Sequence, residues 1–416
     1  MLERLRPFFP LLTIAAAACG DASYSSPFRG EPSGPAGEAP ATPTVGATVG
    51  ANGVEELTAG DFDDNLNLDF FSDFVLAFQQ LHRGAPAWEP RGRVVISVDD
   101  GAGRPVPFAE VSVKQGTDLR FRGITGSDGR ASFFPAIDRA APGVPFELEA
   151  TQGQVQARLV PTSTLAWEIS LPGATSALPT AIDLAFVVDA TGSMGDELRF
   201  LTAEIQSIVE RVGALFPQVS MRLALIVYRD VHDDYVVRKF DFNGDLSVFR
   251  TALGRQSADG GGDYPEAMEQ AVQAMNQLSW RREAARVAFL IADAPPQPEN
   301  EERLLQHVLI SRQQGIKIYP VAASGVADEA EYLMRWSAAL TSSRYIFLTD
   351  DSGIGASHAE PHIPCYQVLK LNDVVVRTIA SELKGRRVPA ASADVIREVG
   401  TPVDGVCTEG QWRLRL

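Results

Sequence analysis

The feature that most constrains the fold is a nearly continuous apolar run from Ile182 to Val188. A strand is apolar on both faces where both faces of its sheet are covered by helices, as in parallel sheets. Runs of the same kind follow at 221–228, 286–292, 316–322 and 345–348. Helical apolar spacing lies between most of them, for example at 265–278 and 301–313. The alternation predicts an α/β domain with a doubly wound, mostly parallel sheet, over about residues 180–350.

Residues 93–175 have a different pattern, in which apolar residues alternate with polar ones. Several short runs, separated by turns such as Asp99–Gly103 and Thr125–Gly129, predict a small antiparallel all-β sandwich before the α/β domain. The segments GRPVPFAEVSV and TGSDGRASF resemble the small transthyretin-like or carboxypeptidase-regulatory modules. The resemblance covers about 80 residues and implies a spacer that carries no chemistry.

The chain begins with features of an export signal. Arg4 and Arg6 precede an apolar stretch from Phe8 to Ala18, which has the length of a secretory h-region and is too short for a membrane span. The sequence AAACG, ending at Cys19 and Gly20, resembles the lipobox of bacterial lipoproteins. That resemblance implies a signal peptide at 1–18 and a lipidated Cys19. The protein would then be extracytoplasmic and anchored to the bacterial cell envelope, facing the periplasm or on the cell surface. The alternative is an ordinary signal peptide cut near Ala18.

The remaining segments are assigned from composition. Residues 19–60, rich in Pro, Gly and Ala, are predicted to be a flexible linker, and the Phe-rich residues 61–92 a short packing segment. Residues 351–416 are predicted to be a C-terminal extension. An exported chain favours oxidation of Cys365 and Cys407 to a disulfide in this extension, and two separate buried thiols are the alternative.

The charge balance excludes one class of partner. The chain has 37 Lys and Arg against 53 Asp and Glu, a net charge of −16. Nucleic-acid binding depends on Lys and Arg that displace phosphate counterions, so we expect no nucleic-acid partner. The charge is compatible with divalent cations or a basic partner.

Oxygen-bearing side chains follow the buried strands. Asp189, Thr191 and Ser193 share the loop after the first strand, and Asp293 follows the strand that ends at Ala292. A glycine-rich loop that contains Asp263 can reach the same edge. Ligands of such sheets bind at the carboxyl ends of the strands, and an all-oxygen set suits Mg²⁺. The sequence therefore predicts a divalent-metal site at this edge.

Three motifs in this order, FVVDATGSM, GGGDYPEA and FLIADAPP, resemble those of the von Willebrand factor type A (vWA) domain. The resemblance covers about residues 180–350 and implies a Rossmann-like fold with a metal-ion-dependent adhesion site (MIDAS). It assigns Asp189, Thr191, Ser193 and Asp293 to a site for Mg²⁺, Mn²⁺ or Ca²⁺ that captures an acidic residue of a partner protein. Asp263, which we also expect among the metal-binding residues, stands where the family usually has Thr. A carboxylate there would lower the net charge of the site and weaken that capture.

Two other polar groups have alternative interpretations. Asp230, Asp233 and Asp234 suggest either a second cation site or a solvated acidic loop, and we expect the loop. His358, His362 and Cys365 have zinc-ligand chemistry, but two prolines interrupt the segment, and we expect a loop fixed by the disulfide.

The expected function is that of an exported, lipid-anchored, non-enzymatic protein that binds a partner protein through its metal. One alternative is a structural component of a cell-envelope complex in which the metal only stabilises the fold. The other is a metal-dependent hydrolase.

Overall fold

The computed structural model describes residues 56–353, 358 and 360–408, apart from the side chains of residues 196, 197 and 200–202. The predicted signal peptide, Cys19 and most of the predicted linker lie outside the described residues. Among the helices of the described part, none has the length and apolar character that a membrane span requires.

The helices and strands of the described chain alternate with short 3₁₀ turns. In chain order they are β1 (Thr58–Phe62), α1 (Leu68–Leu81), β2 (Val94–Asp99), β3 (Glu110–Gln115), β4 (Asp118–Ile124), β5 (Arg130–Phe133), β6 (Glu147–Gln152), β7 (Val155–Leu159), β8 (Ala166–Ser170), β9 (Ala181–Asp189), α2 (Gly195–Leu215), β10 (Ser220–Tyr228), β11 (Val237–Asn243), α3 (Leu246–Gly254), α4 (Met268–Asn276), β12 (Ala285–Ala292), α5 (Glu301–Gln313), β13 (Ile316–Ala322), α6 (Asp328–Leu340), β14 (Tyr345–Thr349), β15 (Tyr366–Lys370), α7 (Leu371–Lys384), β16 (Arg397–Val399), β17 (Pro402–Val403) and β18 (Val406–Cys407).

Nine strands form one mixed sheet in the order β11-β10-β9-β12-β13-β14-β1-β15-β16. The five strands from β10 to β14 in this order are parallel to one another, and they are the five apolar runs of the sequence. Every residue of β9 and of β12 is buried. The sheet has an apolar cluster on each face, one packed by α4, α5 and α6 and the other by α2, α3 and α7. The predicted doubly wound α/β fold is confirmed.

The linker was predicted to extend to residue 60, but residues 58–60 belong to strand β1. It lies inside the sheet, antiparallel to β14 on one side and to β15 on the other. All five of its residues are buried. Residues 58–60 are therefore part of the α/β core, and the strands β2 to β8 are inserted between α1 and β9.

The Phe-rich segment forms α1, which packs on α6. Phe71 lies edge-on to Trp336 with ring centroids 5.0 Å apart, and Phe78 stacks on Tyr332 at 4.2 Å. Arg335 of α6 is buried and pairs with Asp64 at 2.7 Å. These contacts place the segment 61–92 within the core of the α/β domain.

The predicted C-terminal extension also belongs to the sheet. Strand β15 pairs with β1 and β16, and α7 packs against α2. The structure places Cys365 and Cys407 in a disulfide, which joins the start of β15 to the short hairpin β17–β18. The predicted C-terminal boundary of the α/β domain, at residue 350, therefore lies inside that domain.

The inserted strands form two small sheets, β5-β2-β8 and β4-β3-β6-β7, that share one apolar cluster. The pairing of β2 with β8 is parallel, which differs from the predicted all-antiparallel arrangement. The insertion contacts the α/β domain through a buried ion pair between Asp138 and Arg312. The hydroxyls of Ser132 and Ser342 lie 3.0 Å apart across the same boundary. The resemblance to transthyretin-like modules stays a prediction.

Candidate functional site

The predicted site residues come together at the carboxyl edge of the parallel strands. Asp189 is the last residue of β9, and Asp293 directly follows β12, the neighbouring strand. Both side chains are buried, at 0% and 4% exposure. Adjacent parallel strands that both end in a carboxylate place two negative charges side by side.

The loop after β9 is organised by Asp189. Its Oδ1 atom accepts hydrogen bonds from the backbone N of Thr191 at 2.9 Å and from Thr191 Oγ1 at 2.7 Å. Ser193 Oγ lies 3.4 Å from Thr191 Oγ1, in the turn that begins α2. Asp189 Oδ2 is buried and accepts no hydrogen bond of standard geometry in the described chain, although the hydroxyl of Tyr228 interacts with this carboxylate. One carboxylate and two hydroxyls are thus gathered in five residues of chain.

The second loop is shaped by two glycines with positive φ, Gly260 at +80° and Gly261 at +77°. A Cβ on Gly260 would lie 2.3 Å from the carboxylate of Asp233, and one on Gly261 would lie 3.1 Å from Thr191 Cβ. Asp233 Oδ2 accepts a hydrogen bond from Gly261 N at 3.1 Å. The loop can therefore approach Thr191 only because these positions lack side chains.

Asp263 lies at the rim of the site. It is exposed, and its Oδ2 accepts a hydrogen bond from Gln297 Nε2 at 3.1 Å. Together with Thr191 and Ser193 it lines a cleft of about 120 Å³. Its role as a metal ligand stays a prediction.

Glu266, which the sequence reasoning did not assign, lies deeper in the same cleft. It is only 3% exposed, and its Oε2 has no hydrogen-bond partner within the described residues. The available signal was its position in the motif GGGDYPEA, three residues after Asp263. The burial of a glutamate in a loop cannot be recognised from local sequence.

Tyr264, in the second loop, supports the loop that follows β12, which is the third loop of the site. Its hydroxyl donates a hydrogen bond to the backbone carbonyl of Asp293 at 2.7 Å and accepts one from Ala327 N at 2.9 Å. The backbone N of Glu266 also donates to the carbonyl of Pro295 at 2.9 Å. The second and third loops are therefore fixed to each other beside the cleft.

The loop after β10 is only partly the solvated loop that we expected, because Asp234 is exposed whereas Asp230 is buried. Asp230 is 2% exposed, and its backbone N donates to Asp233 Oδ2 at 3.1 Å. Arg229 is also buried and donates to the carbonyls of Ala190 and Ser257 at 3.1 and 2.8 Å. The loop is thus built into the base of the site.

Burial of these carboxyl groups has a large effect on their protonation. Burial and the nearby carboxylate of Asp293 raise the pKa of Asp189 to about 7. Burial, together with Asp189, Asp230, Asp233 and Asp293, raises the pKa of Glu266 to about 9. Desolvation is the largest cause of both shifts, and the neighbouring carboxylates add to it.

The donor set fits a divalent cation. The side chains of Asp189, Thr191 and Ser193 offer only oxygen atoms to a ligand. Hard cations such as Mg²⁺ take such oxygens and keep several waters. In the described part of the chain, no three His, Cys, Asp or Glu side chains are placed to bind one ion. A metal here would depend on the two hydroxyls, with the buried carboxylates in support.

The structure does not bring together His358, His362 and Cys365, the residues whose chemistry would suit zinc. His358 Nδ1 lies 2.8 Å from Asp350 Oδ1 and its Nε2 lies 3.0 Å from Ser324 Oγ. His362 Nδ1 pairs instead with Glu331 Oε2 at 2.8 Å, and Cys365 is in the disulfide. Each group has a partner of its own, as expected for a structural loop.

The fold and the cleft define a class of α/β domain with its polar site at the carboxyl edge of a parallel sheet. Residues 183–357 match the family described as "von Willebrand factor type A domain". The chain therefore contains a vWA domain, a type of domain that commonly mediates protein–protein interaction. The match covers the strands β9 to β14, while β1, β15 and α7 lie outside it.

Three relatives are each similar to part of the chain. An ariadne-like RING finger protein of Acanthamoeba polyphaga mimivirus is 37% identical over 29% of this chain and 12% of its own length. The alpha-protein kinase vwkA of Dictyostelium discoideum is 28% identical over 27% of this chain and 18% of its own. Hemicentin-2 of Mus musculus is 28% identical over 40% of this chain and 3% of its own. The chain thus spans less than a fifth of each relative.

Among solved structures, the conserved hypothetical protein BatB from Bacteroides thetaiotaomicron is 12% identical, with a TM-score of 0.33. The alignment covers 49% of this chain and 99% of BatB. At that score the likeness adds nothing to the assignment.

Proposed function

We propose that this protein is a binding protein whose vWA domain holds a divalent cation on Asp189, Thr191 and Ser193 and uses it to capture an acidic side chain of a partner protein. Mg²⁺ is the expected cation, with Mn²⁺ or Ca²⁺ as substitutes. The metal would supply positive charge at the cleft, and the chain itself would supply the orientation of the oxygens.

The observation that carries the proposal is the buried carboxylate of Asp189, whose Oδ2 accepts no hydrogen bond of standard geometry among the described residues, although the Tyr228 hydroxyl interacts with this carboxylate. A buried carboxylate oxygen without a partner is costly, and a bound cation removes that cost. The raised pKa values of Asp189 and Glu266 also favour a bound cation, because positive charge at the cleft would lower both pKa values and relieve the cost of ionising these carboxyl groups.

The cleft also suits the capture of a carboxylate. Two of the three proposed ligands are neutral hydroxyls, so a divalent cation keeps part of its charge for a partner. Asp263 is exposed and bonded to Gln297, which supports a place for it outside the direct ligands. An Asp263 side chain outside the direct ligands lowers the positive charge at the metal less than a directly bound carboxylate would, so the attraction for a partner's carboxylate is better preserved.

We further propose that the protein is exported and lipid-anchored through Cys19. The support is the sequence resemblance of residues 16–20 to a lipobox, together with the disulfide between Cys365 and Cys407. Disulfides persist mainly outside the cytoplasm.

The test is calorimetric titration of Mg²⁺ and Mn²⁺ into the wild-type protein and into Asp189→Ala. We expect saturable binding by the wild type and none by the variant. The matched control is Asp234→Ala, which removes a nearby exposed carboxylate and should leave affinity within about twofold. Equal binding by Asp189→Ala and wild type would contradict the metal assignment.

A second experiment tests whether the metal mediates partner binding or only stabilises the fold. Proteins of the source envelope are cross-linked to wild type and to Asp189→Ala, each in Mg²⁺ and in chelator. Adhesion predicts capture only by the wild type with Mg²⁺. Capture that persists in chelator while the melting temperature falls would favour the assembly component.

A further inference from the structure

A second cleft lies at the opposite edge of the sheet, between the inserted β-strands and the α/β domain. Its volume is about 320 Å³, compared with about 120 Å³ for the cleft at the metal edge. It is lined by the turn before β5, the starts of β13 and β14, and the segment after α7. Clefts of this size at the boundary between two folded units are common sites for small ligands.

Two arginines at this cleft have no acidic partner within the described chain. Arg130, at the start of β5, and Arg386, just after α7, both line the cleft and are exposed. They come from the insertion and from the α/β domain respectively, so they face the same space from its two sides.

Most other charged groups of the cleft are neutralised in pairs. Lys317 Nζ lies 3.0 Å from Glu382 Oε1, which also accepts a hydrogen bond from Tyr319 at 2.7 Å. Arg387 lies 3.3 Å from Asp63. Arg344 pairs with Asp61. These groups form the wall of the cleft and leave the two arginines available.

One carboxylate remains beside them. Asp128 Oδ1 accepts a hydrogen bond from the backbone N of Arg130 at 3.2 Å, which fixes the turn that presents the arginine. Ser127, the preceding residue, has a buried hydroxyl without a hydrogen-bond partner in the described residues. Two guanidiniums against one carboxylate leave the open part of the cleft positive.

We propose that this cleft binds a small organic or inorganic dianion, held between Arg130 and Arg386. Planar guanidinium groups bind phosphate and carboxylate oxygens in pairs of parallel hydrogen bonds. Two of them on opposite walls suit either one phosphate gripped from both sides or the two ends of a dicarboxylate. The ligand would bridge the insertion and the vWA domain and so fix their junction. This gives the inserted strands a role beyond that of a spacer.

The experiment titrates inorganic phosphate and succinate separately into the full chain at constant ionic strength, in metal-depleted buffer without chelator. The absence of divalent metal keeps the site at Asp189 out of the measurement. The test variant is the double substitution Arg130→Gln and Arg386→Gln. The matched control is Arg122→Gln, an exposed arginine on β4 that does not line the cleft.

Saturable binding of phosphate or succinate to wild type and Arg122→Gln, weakened at least about tenfold in the double variant, would support the proposal. The probe that binds identifies the ligand chemistry. If neither probe binds saturably, or if the double variant binds like wild type, the proposal is wrong. Asp189→Ala should bind the dianion normally, so failure of the metal site and failure of this cleft are distinguishable.

Discussion

Arg377 on α7 donates a hydrogen bond to the buried carboxylate of Asp61 on β1, a residue 316 positions earlier in the chain. Arg344 of the segment before β14 donates to the other oxygen of the same carboxylate. Helix α7 is therefore tied to an interior strand of the sheet by buried charges as well as by apolar packing. Any shift of α7 along the sheet would break this arrangement.

The first prediction concerns Asp61. We expect Asp61→Asn to lower the free energy of unfolding by about 3–5 kcal/mol at pH 7, because it leaves two buried arginines unpaired. Urea denaturation followed by circular dichroism measures this. The control is Asp73→Asn, which breaks an exposed pair with Arg91 and should cost under about 1 kcal/mol. Equal effects of the two variants would contradict the buried network.

The loss of stability caused by Asp61→Asn should depend on pH. Burial disfavours the charged carboxylate of Asp61, but Arg377, Arg344 and Arg387 together lower its pKa below the usual range. Its stabilising contribution is therefore complete above the unfolded pKa near 3.8 and is lost as the pH falls further. The difference between wild type and Asp61→Asn should stay constant from pH 7 to about pH 5 and shrink only in stronger acid.

The second prediction concerns the glycine loop of the metal edge. A Cβ at Gly261 would lie 2.9 Å from Glu266 Oε1 and would require a strained φ of +77°. We expect Gly261→Ala to displace the loop from Thr191 and to weaken Mg²⁺ binding by about tenfold or more. Gly262→Ala is the control, because a Cβ there meets nothing within 4 Å. Calorimetry that gave both variants the same affinity would refute the role of this close approach.

The third prediction is that metal affinity rises with pH. The pKa of Asp189 is about 7 without metal, so below pH 7 a cation must displace a proton from it. Affinity should rise up to about tenfold per pH unit below 7 and level off above it. Titrations between pH 5.5 and 8, in buffers with different ionisation enthalpies, measure both affinity and proton release.

Glu266→Gln provides the comparison for that prediction. With a pKa of about 9, Glu266 is protonated over this range, and glutamine resembles its neutral form, so the pKa of Asp189 should stay near 7. The rise in affinity should accordingly keep its position on the pH axis. A wild-type affinity that is independent of pH between 5.5 and 7 would contradict the assignment of Asp189 as a ligand.

The fourth prediction concerns the disulfide. Cys365 and Cys407 are separated by 42 residues, and closing a loop of that length in the unfolded chain stabilises the fold by about 2–4 kcal/mol. The double variant Cys365→Ala, Cys407→Ala should lose that amount, and reductant should destabilise wild type but not the variant. Metal affinity should be unchanged, because the disulfide lies away from the loops that hold Asp189.

Much of the fold could be predicted because its signals are local. Strand β13 was predicted at its observed bounds, and the run at 286–292 differs from β12 by one residue. The association of Asp189 with Thr191 followed from the same reasoning, since both residues occupy one short loop. Strand β11 was missed because it is an edge strand without the apolar pattern of the others.

The sequence by itself determined the parallel strands, the loop of Asp189 and the edge of the sheet at which polar side chains gather. Each depends on residues close together in the chain, where apolar periodicity and turn chemistry act directly. Only the tertiary structure decided that β1 lies between β14 and β15, that Glu266 is buried, and that Arg130 and Arg386 face one cleft. These outcomes depend on long-range packing and pairing, such as the contact of Thr58 with Thr349 across 291 residues, which no local pattern encodes.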